Sequence, residues 1–361
     1  MANPRREFLL KALNVESLKG LEIGPLNNPL VRTEDVQEGG EIFYLDHLPS
    51  YKLQEKYQND LSIDVNQIVP VDFVCMDGDI VAATAGNLFD YVVASHVIEH
   101  APNLLRFLTD IQKILKPGGH CLLIIPDKRF TFDFNRPLTT FGTVLENFMA
   151  NIELPRVSAV YDQAAMAINA NGHNLWHGIM TTEDSNLLDS ESIAWKAAHR
   201  VHNESYYQDV HVNIFTPESF FEILKKSIIH EVMFYEVKQF VDTQIGQIEF
   251  MVQLQKPEDE PSSCLKSKCL ASLPKLEIES LLSPYMPQVK ALSGALHNST
   301  ETISKLQQQL EQLERVRIDG NSQVVKLQKE LKIAHEMLER KSVKIILLFI
   351  DKIYSFFGKR R

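Results

Sequence analysis

The segment that most constrains this chain runs Phe89-Asp-Tyr-Val-Val-Ala-Ser-His-Val-Ile-Glu-His100. One helix length later comes Leu115-Lys-Pro-Gly-Gly-His-Cys-Leu-Leu-Ile-Ile-Pro126. Tyr91, Val92, Val93 and Ala94 form an unbroken apolar run that stops abruptly at polar residues. A strand apolar on both faces is one covered on both faces, as in the parallel sheets of α/β proteins. Pro117-Gly118-Gly119 predicts a helix stop ahead of a second buried strand. Between the strands, Leu104, Leu105, Leu108, Ile111, Ile114 and Leu115 fall on one stripe of a helix over 103–115. Ligands of open α/β sheets bind beyond the carboxyl ends of the strands. Ser95, His96, Glu99 and His100 therefore sit where chemistry is expected.

The same alternation of short apolar runs and helical patterns extends over residues 1–257, with strands expected near 20–24, 41–46, 69–75, 89–95 and 120–125. Thr216-Pro217-Glu218 places a capping residue before proline at a first helical position, so a helix starts there. Two further strand-like runs, 231–237 and 247–255, complete a doubly wound α/β sheet that ends in an antiparallel hairpin. Residues from about 130 to 215 exceed the minimal pattern. They are rich in His, Asn, Asp, Arg and aromatics, and are expected to form an insertion that covers the mouth of the site, since long connections are usually functional.

Past Lys256 the pattern changes. A polar linker is expected over 258–288. From Val289 a heptad repeat places Val289, Leu296, Ile303, Leu310, Val324, Leu331 and Leu338 at one core position, with Leu292, Leu306, Leu313, Leu327 and Ala334 at the other. Arg317 and Gly320 interrupt it. This reads as a coiled coil over 289–341, and burying its stripe requires a second helix, so a homo-oligomer is expected. The last stretch, 342–361, is strongly apolar between Lys341 and the terminal Lys359-Arg360-Arg361. It is shorter than the roughly 20 apolar residues needed to span a bilayer. Its two readings are a helix lying in the membrane interface and an apolar end buried in the oligomer.

The formal net charge of −10 argues against a broad nucleic-acid surface, because phosphate affinity comes from Lys and Arg. Of the four cysteines, Cys75 and Cys121 fall in expected core strands, and Cys264 and Cys269 have no second pair or histidine to complete a zinc site. No metal is expected on these grounds. Cysteine usage and an N-terminus without a long apolar segment predict a cytoplasmic protein, with peripheral inner-membrane contact if the tail is interfacial.

The remaining strand ends carry their own chemistry. Leu21-Glu22-Ile-Gly24 ends the first strand in an acid and a glycine that permits a tight turn, with Asn27 and Asn28 able to take left-handed conformations after it. Asp46 follows about 20 residues later, at the distance where an acid accepts from ribose hydroxyls. Met76 and Asp77 end the third strand. Beyond the fifth, Arg129 and Arg136 can clamp a phosphate or carboxylate, while Asp127 and Asp133 can orient a hydroxyl. Internal salt bridges among these four are the competing reading.

Taken together, Glu22-Ile-Gly24, Asp46, Asp77, the Ser-His-Val-Ile-Glu-His run and Leu-Lys-Pro-Gly-Gly resemble the motifs of class I S-adenosylmethionine (SAM) dependent methyltransferases. Leu26 and Asn28 stand where that family has further glycines. The resemblance implies a Rossmann-like fold, SAM as cofactor, and Glu22, Gly24, Asp46, Met76, Asp77 and Ser95 as its binding residues. His96 and His100 would lie beside the transferable methyl group, with His96 the better placed general base. The wider pattern, including Pro-Asp-Lys-Arg-Phe-Thr-Phe-Asp and Phe-Thr-Pro-Glu-Ser-Phe, resembles a bacterial subgroup associated with glycosyltransferases and surface polysaccharide synthesis. That resemblance implies O-methylation of a glycan or other hydroxylated acceptor. A small-molecule N- or carboxyl-methyltransferase and a non-catalytic membrane-tethered scaffold are the alternatives.

Overall fold

The apolar runs assemble into one seven-stranded sheet: β1 (Lys19–Ile23), β2 (Glu41–Asp46), β3 (Phe73–Val74), β4 (Phe89–Ser95), β5 (Leu115–Pro126), β6 (Glu236–Val241) and β7 (Glu249–Gln255). Their order is β3-β2-β1-β4-β5-β7-β6. The first five pair in parallel, and β7 runs antiparallel to both β5 and β6. The computed structural model describes residues 3–169, 171–177, 186–204, 207–259 and 261–276, together with 305, 308 and 328–332. Two compact units divide the chain, Met1–Leu281 and Leu282–Arg361. The expected coiled coil, apart from those few positions, and the apolar tail lie outside the described residues.

The helices in chain order are α1 (Pro4–Ala12), α2 (Ser50–Tyr57), α3 (Ile80–Ala83), α4 (Leu104–Ile114), α5 (Phe141–Met149), α6 (Val157–Met166), α7 (Gly172–His177), α8 (Glu191–Glu204), α9 (Pro217–Ile229) and α10 (Ser263–Ala271). Strand periodicity decides which face each residue serves. Val92 and Ala94 of β4, with Cys121, Leu123 and Ile125 of β5, join the stripe of α4 and the phenylalanines of α9 in one core. Tyr91, Val93, Leu122 and Ile124 point the other way, into a second core with Phe8 and Leu9 of α1. Each buried Val, Leu, Ile or Phe among them contributes about 1.5–3 kcal/mol, so both faces hold the sheet. Gly20 lets β1 approach β4: a Cβ there would lie 2.0 Å from the Tyr91 Cζ.

α4 begins after Asn103, whose side chain accepts from the Arg106 amide, and ends at Leu115 as the stripe predicts. α9 starts at the expected Thr216-Pro217, where Thr216 and Ser219 cap each other. Three expectations need correction. The Pro117-Gly118-Gly119 turn lies within β5 as a register shift rather than ahead of it: Leu115 already pairs with Phe89, Gly118 takes φ +75°, and its amide donates to the Lys256 carbonyl. The apolar run 231–237 is mostly not a strand. Met233 and Tyr235 fill the core as a connection, and β6 begins only at Glu236. The span expected as a linker, 258–288, contains α10, which packs Leu265 and Cys269 into the first core. The insertion is helical: α6 and the end of α8 meet through Val160, Val201 and Val210.

Candidate active site

A cleft of about 620 Å³ opens at the carboxyl ends of β1, β2, β3 and β4. One half is built from strand ends. Gly24 turns the chain out of β1 with φ +66°, and its amide donates to the Leu45 carbonyl at 2.9 Å. A Cβ there would sit 3.0 Å from Val97 Cγ2, so the glycine keeps this wall open. The left-handed residue that follows is Leu26, φ +48°, rather than either asparagine. Asp46, 5% exposed, ends β2 with Oδ1 2.7 Å from the His47 amide and 2.6 Å from His47 Nδ1. Met76 and Asp77 follow β3 and line the same half.

The other half begins at His96, which leaves β4 in a left-handed turn at φ +54°. Backbone strain of this kind persists only where surrounding contacts over-determine it. Here they do: His96 Nε2 lies 2.6 Å from Glu249 Oε2 and 3.3 Å from Arg5 Nη2, and its Nδ1 lies 3.5 Å from Glu99 Oε1. Arg5 in turn grips both oxygens of Glu249 at 2.6 Å. Burial alone would raise the Glu249 pKa, but His96 and Arg5 hold it below the usual carboxylate range. His100 ends the short turn Ile98–His100, with Nδ1 3.0 Å from Asp209 Oδ1. Burial opposes its charge, yet Asp209 and Glu99 raise its pKa, while His100 and Lys56 hold Asp209 far below its ordinary value.

The insertion reaches the cleft through Ile152, Glu153, Leu154, Tyr207 and Asp209. Lys56 of α2 anchors it with a 3.0 Å contact to Asp209. Beneath the cleft, the Glu99 carbonyl accepts from the amides of Val212 at 2.6 Å and Asn213 at 2.9 Å. This pins residues 210–213 under the turn after β4 and brings His211 beside His100, the two rings 4.8 Å apart. Glu99 itself is fully buried, and neither carboxylate oxygen has a hydrogen-bond partner among the described residues.

Gly24, Asp46, Met76, Asp77, His96 and His100 thus share one cleft. Ser95 pairs with Ile124 within the sheet and does not line it. Glu22 is also turned away: it is 1% exposed and accepts from the amides of Leu30 and Val31 at 2.8–3.0 Å, shaping the loop after β1. Burial pushes its pKa up to about 7. The four residues expected to grip an acceptor pair with each other instead. Asp127 meets Arg129 at 2.6 Å, Asp133 meets Arg136 at 2.7 Å, and all four are buried. A buried charge must be paired to be tolerated, so these side chains brace the entry to the insertion and do not line the cleft. Glu249, Tyr207, Asp209 and His211 carried no local signal, because each is defined by a partner far away in the chain.

The methyltransferase domain family matches residues 49–227. No curated protein sequence matches the chain. Solved structures that the chain matches include a SAM-dependent methyltransferase from Aquifex aeolicus (12% identity, 69% of this chain and 88% of that one, TM-score 0.34) and one from Methanosarcina mazei (13% identity, 70% and 98%, TM-score 0.35). A Rhodobacter sphaeroides protein described as a Zn-dependent alcohol dehydrogenase is similar at the same level (10% identity, 70% and 89%, TM-score 0.40). Likeness of this extent carries no functional argument. The sheet order, the cleft at its strand ends and the family match define a class I methyltransferase. The chain belongs with the SAM-dependent methyltransferases, and its cofactor is S-adenosyl-L-methionine.

Proposed function

We propose that this enzyme methylates a hydroxyl group, on a glycan or other hydroxylated acceptor, with His96 as the general base. The observation that carries the reading is the His96–Glu249 contact of 2.6 Å at a residue that lines the cleft. A hydroxyl is a poor nucleophile until its proton leaves, whereas a carboxylate needs no base, so a carboxylate-held imidazole favours methyl transfer to an alcohol oxygen. Gly24 and Asp46 form the cofactor half of the cleft: the glycine admits a close backbone approach, and the acid is placed to accept from ribose hydroxyls. When bound there, SAM supplies an electrophilic methyl group on a sulfonium. His96 takes the acceptor proton at Nδ1, while Glu249 holds the ring at Nε2 and compensates the charge it gains. His47, Lys56, Tyr57, Tyr207 and Asp209 offer the acceptor aromatic and hydrogen-bonding surface. The resemblance to the polysaccharide-associated subgroup supports a sugar acceptor.

Transfer of labelled methyl from SAM to hydroxylated sugars tests the reading. His96→Ala should lower turnover by about 10²–10⁴-fold and leave SAM affinity unchanged. A near wild-type rate removes His96 from the role.

The heptads of 289–341 and the basic-flanked tail support self-association and peripheral attachment to an anionic membrane. Among the described residues no helix is long and apolar enough to cross a membrane. A chain ending at Leu276, which retains α10, should bind SAM without assembling. The full chain should oligomerise and co-sediment with anionic vesicles in a salt-sensitive manner. Oligomerisation without vesicle binding at low salt would assign the tail to the oligomer instead.

A further inference from the structure

Glu99 is the anomaly of this fold. It is fully buried at the floor of the site, and neither carboxylate oxygen finds a hydrogen bond among the described residues. Buried carboxylates are ordinarily paired, hydrogen-bonded or bound to a cation. The groups that surround it are imidazoles: ligand atoms of Glu99, His100 and His211 lie within 4.8 Å of one another.

A carboxylate stands beside Nδ1 of each of these imidazoles. Asp209 lies 3.0 Å from His100 Nδ1, and Asp133 lies 2.5 Å from His211 Nδ1. Nε2 is therefore the nitrogen left on each ring, and His100 Nε2 is 4.0 Å from Glu99 Oε1. Metal-bound histidines almost always have their second nitrogen held in this way, which fixes the tautomer and raises the basicity of the ligand. Two histidines and one glutamate are the ligand set of catalytic zinc sites that keep a position open. The nitrogen ligands favour a transition metal over magnesium or calcium.

From this geometry we propose that Glu99, His100 and His211 bind one divalent transition-metal ion of the zinc type beneath the cleft. Glu99 Oε1 and His100 Nε2 stand 4.0 Å apart and all three ligand atoms lie within 4.8 Å of one another, wider than the roughly 3.4 Å between tetrahedral ligands held about 2.1 Å from one ion, so the ion draws them inward. His100 lines the cleft while Glu99 and His211 lie under it, so an open coordination position faces the acceptor half. There the ion would take an acceptor oxygen and ease loss of its proton. That role rests on the proposed hydroxyl methylation, whereas the binding itself does not.

The test uses the full chain, stripped with chelator and titrated with Co2+, whose visible absorption reports nitrogen–oxygen coordination. SAM affinity is measured by calorimetry on the same samples. One equivalent of Co2+ should bind and be displaced by Zn2+. Glu99→Gln and His100→Asn should each weaken binding at least tenfold. Asp133→Asn, which leaves all three ligands in place, should weaken it by about 10–100-fold. Absence of stoichiometric Co2+ binding overturns the proposal, as does wild-type affinity in Glu99→Gln or, if that variant does not fold, in His100→Asn. Loss of SAM binding with intact Co2+ binding would instead count against the methyltransferase reading and leave the metal site standing.

Discussion

Glu249, the first residue of β7, holds the ring of His96 from 153 residues away in the chain, its Oε2 2.6 Å from Nε2. The antiparallel β7 places it there: Glu249 pairs with Pro126 at the end of β5, one strand over from the turn that carries His96. The terminal hairpin therefore contributes to the site, although its residues do not line the cleft. Glu249→Gln keeps the shape and removes the charge. Turnover should fall by roughly 10²-fold, the lower end of the general-base range, with SAM affinity unchanged. Arg5→Ala should have a smaller effect, because Arg5 grips the Glu249 carboxylate at 2.6 Å and reaches the His96 ring only at 3.3 Å. Steady-state rates at saturating SAM separate these outcomes, and an unchanged rate in Glu249→Gln would show that the dyad only builds the fold.

Asp46 should carry the ribose. Asp46→Ala is expected to weaken SAM binding by about 1–3 kcal/mol, the scale for a hydrogen bond to a charged group, read by calorimetry. His47 bonds the same carboxylate oxygen, Oδ1, so His47→Ala should give a smaller loss in the same direction. If Asp46→Ala binds as wild type, the cofactor half lies elsewhere in the cleft.

Gly20 and Tyr91 make a packing prediction independent of chemistry. A methyl group at Gly20 would overlap the Tyr91 ring, 2.0 Å from Cζ, in a core strand that cannot move. Gly20→Ala should cost at least the 1–3 kcal/mol typical of overpacking and lower Tm. Among the described residues the buried Tyr91 hydroxyl has no hydrogen-bond partner. Tyr91→Phe should therefore be neutral or raise stability by about 1 kcal/mol; a clear loss would reveal a bound water.

Glu22 gives a pH dependence with a defined sign. Burial lifts its pKa from the ordinary 4.5 to about 7 in the folded protein, against the opposing amides of Leu30 and Val31. The protonated form is then favoured by folding. Its stabilising contribution is full below pH 4.5 and is lost as pH rises through about 7. Relative to Glu22→Gln, the wild type should lose on the order of 3 kcal/mol across that window. Denaturant unfolding at pH 4.5 and 7.5 measures the difference, and parallel curves for the two proteins would place the Glu22 charge in solvent.

Sequence alone settled the features that rest on local burial. β2 and β4 fall where their apolar runs predict, and β1 and α4 fall within a residue. A strand covered on both faces, or a helix with one apolar stripe, has a pattern that survives any tertiary context. The polar strand ends were legible for the same reason, because the carboxyl end of a buried parallel strand is where the chain must emerge. Gly24, Asp46, Asp77, His96 and His100, singled out on that ground, all line the cleft.

What remained was decided by partners distant in sequence. Arg129 and Arg136 look like anion clamps until the fold buries each beside an aspartate. Residues 231–237 look like a strand until Met233 and Tyr235 are seen to serve the core as a connection. Glu99, read as one polar residue of a motif, becomes the centre of a histidine cluster only when the Val212 and Asn213 amides dock on its carbonyl and bring His211 beneath the cleft. Periodicity reports which face of an element is buried. It does not report which charge will meet which, because that depends on the three-dimensional path of the connections, and in this protein the connections that matter are the insertion and the terminal hairpin.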